Sequence, residues 1–135
     1  MERMKHYLSI CNSGPSEKLA RIALRNRDKL LARNCGIVDE NLPKWEGFFK
    51  SYSELFDWQK PDGSCMGFPR YKGAKGVEQF CRSLVDESGI LFLPSTIYSS
   101  ELSDTPMDRF RLGYGRKRLD EGLAVLDDHM RRFHS

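Results

Sequence analysis

Near the carboxyl end of the chain, "RFRLGYG" sets Phe110, Leu112 and Tyr114 in alternation with Arg109, Arg111 and Gly113. A period of two reads as a β-strand with one apolar and one polar face. That places a guanidinium sideways on a rigid element, beside glycines. An arginine so placed serves either as a solvent-facing edge charge or as a planar fork for a carboxylate, which it grips with two parallel hydrogen bonds. Arg109, on the same strand face, and Arg116, at the start of the following helix, are the rivals for that role.

Other residues capable of chemistry are dispersed. Cys11, Cys35, Cys65 and Cys81 form no CxxC pair and have no histidine at zinc-ligand spacing, so no metal site is expected. Cys35 and Cys81 fall at helical positions and Cys65 in a strand, which points to small buried thiols. A disulfide is disfavoured in a reducing compartment. Ser16 suits a helix N-terminus after Pro15. Pro61, Asp62, Gly63 and Ser64 have turn chemistry, because proline sets one dihedral and glycine accepts positive φ.

The elements that must position these groups follow from periodicity. Leu19, Ile22 and Ala23 recur at helical spacing after Ser16. Leu30, Leu31, Asn34, Ile37, Val38, Leu42, Trp45, Phe48, Phe49 and Tyr52 mark one face of a long helix. Pro43 should kink or break it into two pieces in line. The Trp45, Phe48, Phe49, Tyr52 stripe reads as core. Short strands are expected at "LFDWQ" and "CMGFPRY" around the turn "KPDGS", then a helix "GVEQFCRSLVDES" with Val77, Phe80, Cys81, Leu84 and Val85 on one side, stopped by Gly89. "GILFLP" reads as a compact buried strand, "SSELSDTP" as a polar loop and "RFRLGYG" as the last strand. A closing helix should turn Leu119, Leu123, Leu126 and Met130 inward. This order predicts an α+β fold, a small mainly antiparallel sheet covered by helices and preceded by a long kinked helix.

Composition bounds the function. The chain has 135 residues, 39% hydrophobic and 30% charged, with a formal net charge of +3, the signature of a single wet-surfaced globular domain. The mild charge argues against a nucleic-acid partner, and the strands lack the paired exposed aromatics that stack bases. No apolar run approaches the ~20 residues of a membrane span, and the first residues lack a signal-peptide core. No membrane partner and a cytoplasmic location are the expectations.

Taken together, "PDGSCMGFPRY", "VEQFCRSLVDESGILFLPSTIY" and "RFRLGYGRKRLDEGLAVLDDHM" resemble, in order and length, the C-terminal small domain of class I/II pyridoxal-phosphate-dependent aminotransferases of fold type I. "HYLSICNSGPSEKLARIALRNRDKLL" looks like the segment that leaves the family's large domain and becomes its interdomain helix. The resemblance implies that residues 1–25 are the end of a large-domain segment with the start of the linker helix, and residues 26–135 the small domain. It implies that Arg111 binds the substrate α-carboxylate and that Gly63 and Ser64 border the substrate pocket, against the alternative of a plain hairpin turn. It also implies that Asn12 and Ser13 approach the cofactor phosphate across a dimer, against the alternative of a helix-capping loop. Pro94, Ser95 and Thr96 stand where the family frequently has Pro-Gly, so that wall of the pocket departs from the pattern.

The resemblance further implies what to seek beyond these residues. An enzyme of this kind needs a lysine that forms the Schiff base with pyridoxal phosphate and an aspartate on the pyridine nitrogen. The lysines here, Lys5, Lys18, Lys29, Lys44, Lys50, Lys60, Lys72, Lys75 and Lys117, all sit in helices or turns without such a setting. The chain is therefore expected to be a C-terminal fragment that binds no pyridoxal phosphate alone and has no catalytic residue of its own. Its partners would be the missing large domain, an amino-acid or keto-acid substrate and, in the parent, a second subunit of a homodimer. The alternative is a stand-alone, non-catalytic binding module that has kept this fold.

Overall fold

The computed structural model describes Met4, Tyr7, residues 13–102 and residues 104–133. Cys11, Lys5 and the candidate Asn12 lie outside the described residues. The chain divides at Cys35 and Gly36 into two compact units, Met1–Cys35 and Gly36–Ser135.

In the first unit, helix α1 spans Gly14–Arg25, with Pro15 in its first turn where a missing N–H costs nothing. Ser13, not Ser16, occupies the N-cap position; its carbonyl accepts from the Glu17 N–H at 3.0 Å, and its side chain makes no capping bond. Asn26 closes the other end. Its backbone N–H and its side-chain amide both reach the Ile22 carbonyl, at 3.2 and 2.9 Å. None of the residues of α1 is buried, and Leu19, Ile22 and Leu24 are exposed. Leu30 and Leu31, expected on the apolar face, are exposed too.

Helix α2 runs Arg27–Ser51 without interruption. Of the kink or break expected at Pro43, the break does not occur: the proline removes one donor, but the helix continues on both sides of it. Its second-unit portion buries Ile37, Asn41, Leu42, Trp45, Phe48 and Phe49, so three of the four aromatic stripe residues are core; Tyr52 follows the helix end and is only partly covered. The Trp45 ring stacks on Phe49 with centroids 5.5 Å apart, and Phe49 in turn carries Trp58 at 4.7 Å.

Among the described residues, five two- to four-residue strands make two small antiparallel sheets. Strand β1 (Phe56–Asp57) pairs with β3 (Arg70–Tyr71), Phe56 opposite Tyr71. Strand β5 (Phe110–Gly113) is central in the second sheet, flanked by β2 (Met66–Gly67) and β4 (Leu93–Pro94). The α+β class is as predicted. The "CMGFPRY" strand is not one strand, however. It splits at Phe68 and Pro69 into β2 and β3, which join different sheets, so "KPDGS" does not close a simple hairpin. Proline cannot donate to a ladder, and the split falls at it.

Helix α3 (Val77–Ser88) begins after Gly76 and ends at Gly89, whose φ of 68° is the left-handed cap. Val77, Phe80, Cys81 and Leu84 face inward, whereas Val85 is exposed. Of "GILFLP" only Phe92 is buried and only Leu93–Pro94 is strand; Leu91 is exposed and a 3-10 turn, Ser95–Tyr98, follows. Helix α4 (Leu119–Phe133) buries Leu126, His129 and Met130, with Leu119 and Leu123 partly covered. The alternation in β5 is realised: Phe110, Leu112 and Tyr114 are essentially inaccessible. Phe110 meets Phe92 in a stack at 4.9 Å, and Phe80 lies flat against Tyr71 at 4.3 Å.

Of the three described cysteines, only Cys81 is a buried thiol. Cys35 and Cys65 are exposed, and Cys65 sits in the bend before β2 rather than in a strand.

Candidate functional site

Since the core takes Phe110, Leu112 and Tyr114, the other face of β5 must carry Arg111, and pairing on both sides fixes its backbone. Leu93 of β4 lies opposite Arg111, and Met66 of β2 lies opposite Gly113. A side chain on the central strand of a paired sheet is held more rigidly than one on a loop.

The guanidinium of Arg111 is reached from β2 on one side and from the 3-10 turn that follows β4 on the other. Its Nε lies 2.9 Å from the Met66 sulfur, a weak acceptor, and its Nη1 donates to the Tyr98 hydroxyl at 3.0 Å. Tyr98 stands at the end of the 3-10 turn, which is anchored where Ser95 N–H donates to the Arg109 carbonyl at 2.8 Å. The Phe68 ring meets Tyr98 edge to face at 5.9 Å. Met66, Phe68 and Tyr98 are all partly open to solvent and Arg111 is half-buried among them, in a half-apolar patch.

The neighbouring Arg70 and the rivals Arg109 and Arg116 are placed differently. Arg70 is ion-paired with Asp108 at 2.5 Å. Arg109 turns its guanidinium to the Phe68 carbonyl at 3.0 Å. Arg116 contributes its backbone: its carbonyl accepts from the Asn41 amide at 2.7 Å, and its side chain is exposed. Among the described residues, Arg111 has no carboxylate at ion-pair distance.

The neighbouring glycines divide in their roles. A Cβ placed on Gly113 would find nothing nearer than the Cys65 carbonyl at 4.0 Å, so the face beside Arg111 is open. On Gly115 it would strike the Cys65 Cβ at 2.7 Å. Gly115 therefore makes room for Cys65 rather than for a ligand.

Gly63 and Ser64 are tied to the same strand end, since the Tyr114 hydroxyl is shared between the carbonyls of Gly63 (3.2 Å) and Met66 (3.0 Å). Burial pushes the Tyr114 phenol above its ordinary pKa, with Cys65 adding to it, so it stays a donor. The left-handed residue of the loop is Ser64, φ 74°, not Gly63; the Ser64 hydroxyl accepts from the Met66 N–H at 3.3 Å. Ser13 is exposed at the N-cap of α1 in the first unit. A separate groove of about 770 Å³ runs between α3 and β4, lined by Glu78, Arg82, Val85, Leu91 and Ile97 among others, and includes neither Arg111 nor Tyr98.

No protein-family model matches this sequence, and no curated protein does. Solved structures do match its fold. A PLP-dependent aminotransferase from Streptococcus suis 89-1591 superposes with a TM-score of 0.83 at 26% identity, over 99% of this chain. The chain has the fold of an aminotransferase small domain. The PLP-dependent cyclase OrfR superposes over 96% of it with a TM-score of 0.82 at 24% identity. This small-domain fold spans about a third of each of those proteins, 34% and 35%.

Pyridoxal phosphate is the cofactor that both likenesses name, and its aldehyde needs a lysine whose amine is kept neutral by burial or by neighbouring positive charge. The described lysines offer the opposite. Lys44 is the least exposed, and its Nζ sits 2.8 Å from Asp120 and 3.3 Å from Glu40. The bond to Asp120 foremost holds its pKa above the ordinary lysine value. Lys60 pairs with Glu46, Lys72 donates to the Ser53 carbonyl, and Lys18, Lys29, Lys50, Lys75 and Lys117 are exposed. No described lysine fits the cofactor. The described residues likewise place no three His, Cys, Asp or Glu side chains together for a metal ion, and no described helix is long and apolar enough to cross a membrane.

Proposed function

We propose that this chain serves as the small domain of a pyridoxal-phosphate-dependent enzyme acting on amino acids, an aminotransferase, and that Arg111 receives the α-carboxylate of the substrate. The observation that carries this reading is a guanidinium on the central strand, half-buried and held by a thioether and a phenol instead of an acid. A permanently charged planar fork left without an acidic partner is suited to an incoming carboxylate. Gly63 and Ser64, bonded to the same strand end, border the site in this reading.

The chemistry of the cofactor, including its lysine, comes from a large domain outside these residues; residues 1–25 belong to the connection with it and residues 26–135 to the small domain. Asn12 and Ser13 contact the cofactor phosphate of a second subunit. The chain works in the cytoplasm and is inactive alone.

The test uses the enzyme assembled from this chain and its large domain. Arg111→Ala should lower kcat/KM for the amino-acid substrate by an amount equivalent to about 2–5 kcal/mol, the range for removing one partner of a buried charge pair. Unchanged kinetics would refute the carboxylate role. A second arm treats the 135-residue chain with pyridoxal phosphate and borohydride, and no lysine should acquire a stable pyridoxyl group. Stoichiometric labelling of one lysine would overturn the assignment of the cofactor to another domain.

A further inference from the structure

We propose that Tyr98 is a second arm of the carboxylate site, its hydroxyl donating to the same anion that the Nη1–Nη2 end of Arg111 receives. This deepens the reading of Arg111 above and rests on it.

A guanidinium has five N–H groups and no acceptor. In Arg111 the Nε donor is turned to the Met66 sulfur at 2.9 Å, and one Nη1 donor to the Tyr98 oxygen at 3.0 Å. The remaining donors all lie at the Nη1–Nη2 end, so an incoming carboxylate must meet that end. A phenol has one proton and two lone pairs. One lone pair of Tyr98 accepts from Arg111, and among the described residues no acceptor takes its proton. The hydroxyl is thus next to the guanidinium with its own donor uncommitted.

The local structure holds it there. The Tyr98 backbone is set by the 3-10 turn that continues directly from β4, whose Leu93 lies opposite Arg111. Its ring is fixed by the edge-to-face contact with Phe68. Met66 and Phe68 flank the pair with apolar surface, which strengthens a charge-assisted hydrogen bond by reducing competition from water.

This arrangement makes a prediction about ligand class. A site lined with donors from both Arg111 and Tyr98 suits an anion with two acceptor oxygens. A carboxamide of the same shape would turn its N–H₂ toward a donor, so the site should reject it.

The experiment is an NMR titration of the 135-residue chain, reading the Arg111 side-chain N–H signals, with acetate as probe and acetamide as the neutral control. Acetate should shift those signals saturably and acetamide should not. Tyr98→Phe keeps the ring on Phe68 and should raise the acetate dissociation constant roughly tenfold, the size of one charge-assisted hydrogen bond. It should also narrow the preference for acetate over acetamide, which a merely structural change would leave alone. Arg111→Gln should abolish the response. Loss in Arg111→Gln with Tyr98→Phe within about twofold of wild type would overturn the Tyr98 proposal and leave Arg111 standing. Acetate affinity unaltered by Arg111→Gln would overturn both, and no saturable response in the wild-type chain would overturn a preformed site.

Discussion

The side-chain amide of Asn41, on helix α2, donates to the carbonyl oxygen of Tyr114 at 2.8 Å, and its second N–H reaches the Arg116 carbonyl at 2.7 Å. Asn41 is buried, and the two carbonyls belong to the segment where the chain leaves β5. One side chain thus satisfies two backbone acceptors that no ladder reaches, just beyond the strand that carries Arg111. Buried carbonyls without a donor are costly, so this is how the exit of β5 can be pinned to a helix.

Asn41→Ala should destabilise the second unit by about 1–3 kcal/mol, the cost of stranding buried acceptors. Asn41→Asp should be worse, because it faces two carbonyls with a carboxylate. Denaturant unfolding followed by tryptophan fluorescence measures both, since Trp45 lies on the same helix. Equal midpoints for wild type and Asn41→Ala would show that water replaces the amide.

Gly67 of β2 owes its identity to close packing. A Cβ there would meet the Trp58 ring at 2.7 and 2.8 Å, and that ring is already stacked on Phe49, which restricts its escape. Gly67→Ala should therefore cost about 1–3 kcal/mol, as overpacking does. Gly113→Ala, with open space beside it, should stay within about 0.5 kcal/mol. Thermal unfolding of the pair distinguishes packing from any general penalty for replacing a strand glycine.

Much of this fold could be read from local pattern, and the reasons it could are specific. Helix α3 was legible because Phe80, Cys81 and Leu84 recur on one face and Gly89 supplies the left-handed stop. Strand β5 was legible because a period of two has no helical counterpart in "RFRLGYG". The split of "CMGFPRY" was hidden, since both halves look equally extended and their different partners, β5 and β3's neighbour β1, are chosen by tertiary pairing. Pro43 does not end the helix: its local cost is real, but Trp45, Phe48 and Phe49 are buried beyond it and their packing outweighs one lost hydrogen bond.

At the candidate site the sequence indicated Arg111 and its exposed face but not what surrounds it. Tyr98 reaches Arg111 through a 3-10 turn that carries no periodic signal, and Met66 arrives from a strand that is distant in sequence and pairs with β5 only in the fold. Asn41 and His129 give no signal in the sequence because each occupies a core position in an amphipathic pattern where an apolar residue is the rule.

The described thiols should separate by reactivity. Burial foremost, with Glu78 nearby, pushes the Cys81 thiol up to about 12, so it holds its proton at any physiological pH and has little thiolate to react. Cys35 and Cys65 are exposed. Iodoacetamide at pH 8 should label Cys35 and Cys65 well before Cys81, and Cys81 should catch up once the chain is unfolded in denaturant. Peptide-level mass spectrometry reads all three; early labelling of Cys81 would mean that the α3 face opens readily.

His129 should make the second unit acid-sensitive. The imidazole is buried on α4, its Nδ1 lies 2.8 Å from the Ser88 hydroxyl, and the Phe133 ring packs at 4.7 Å. Burial is the main cause that holds its pKa below the ordinary 6.5; Arg132 lowers it further, against the opposing pull of Glu87 and Asp128. A histidine with a lower pKa folded than unfolded is protonated preferentially in the unfolded chain. Its contribution to stability is therefore complete above the unfolded value near 6.5 and is lost as pH falls from there through the folded value, at no more than about 1.4 kcal/mol per pH unit. Denaturant midpoints measured from pH 7.5 down to 5 should fall in the wild type. In His129→Gln, which keeps a polar group of similar reach toward Ser88 but cannot titrate, the same series should be flatter, and parallel curves would assign the acid sensitivity to the surrounding carboxylates instead.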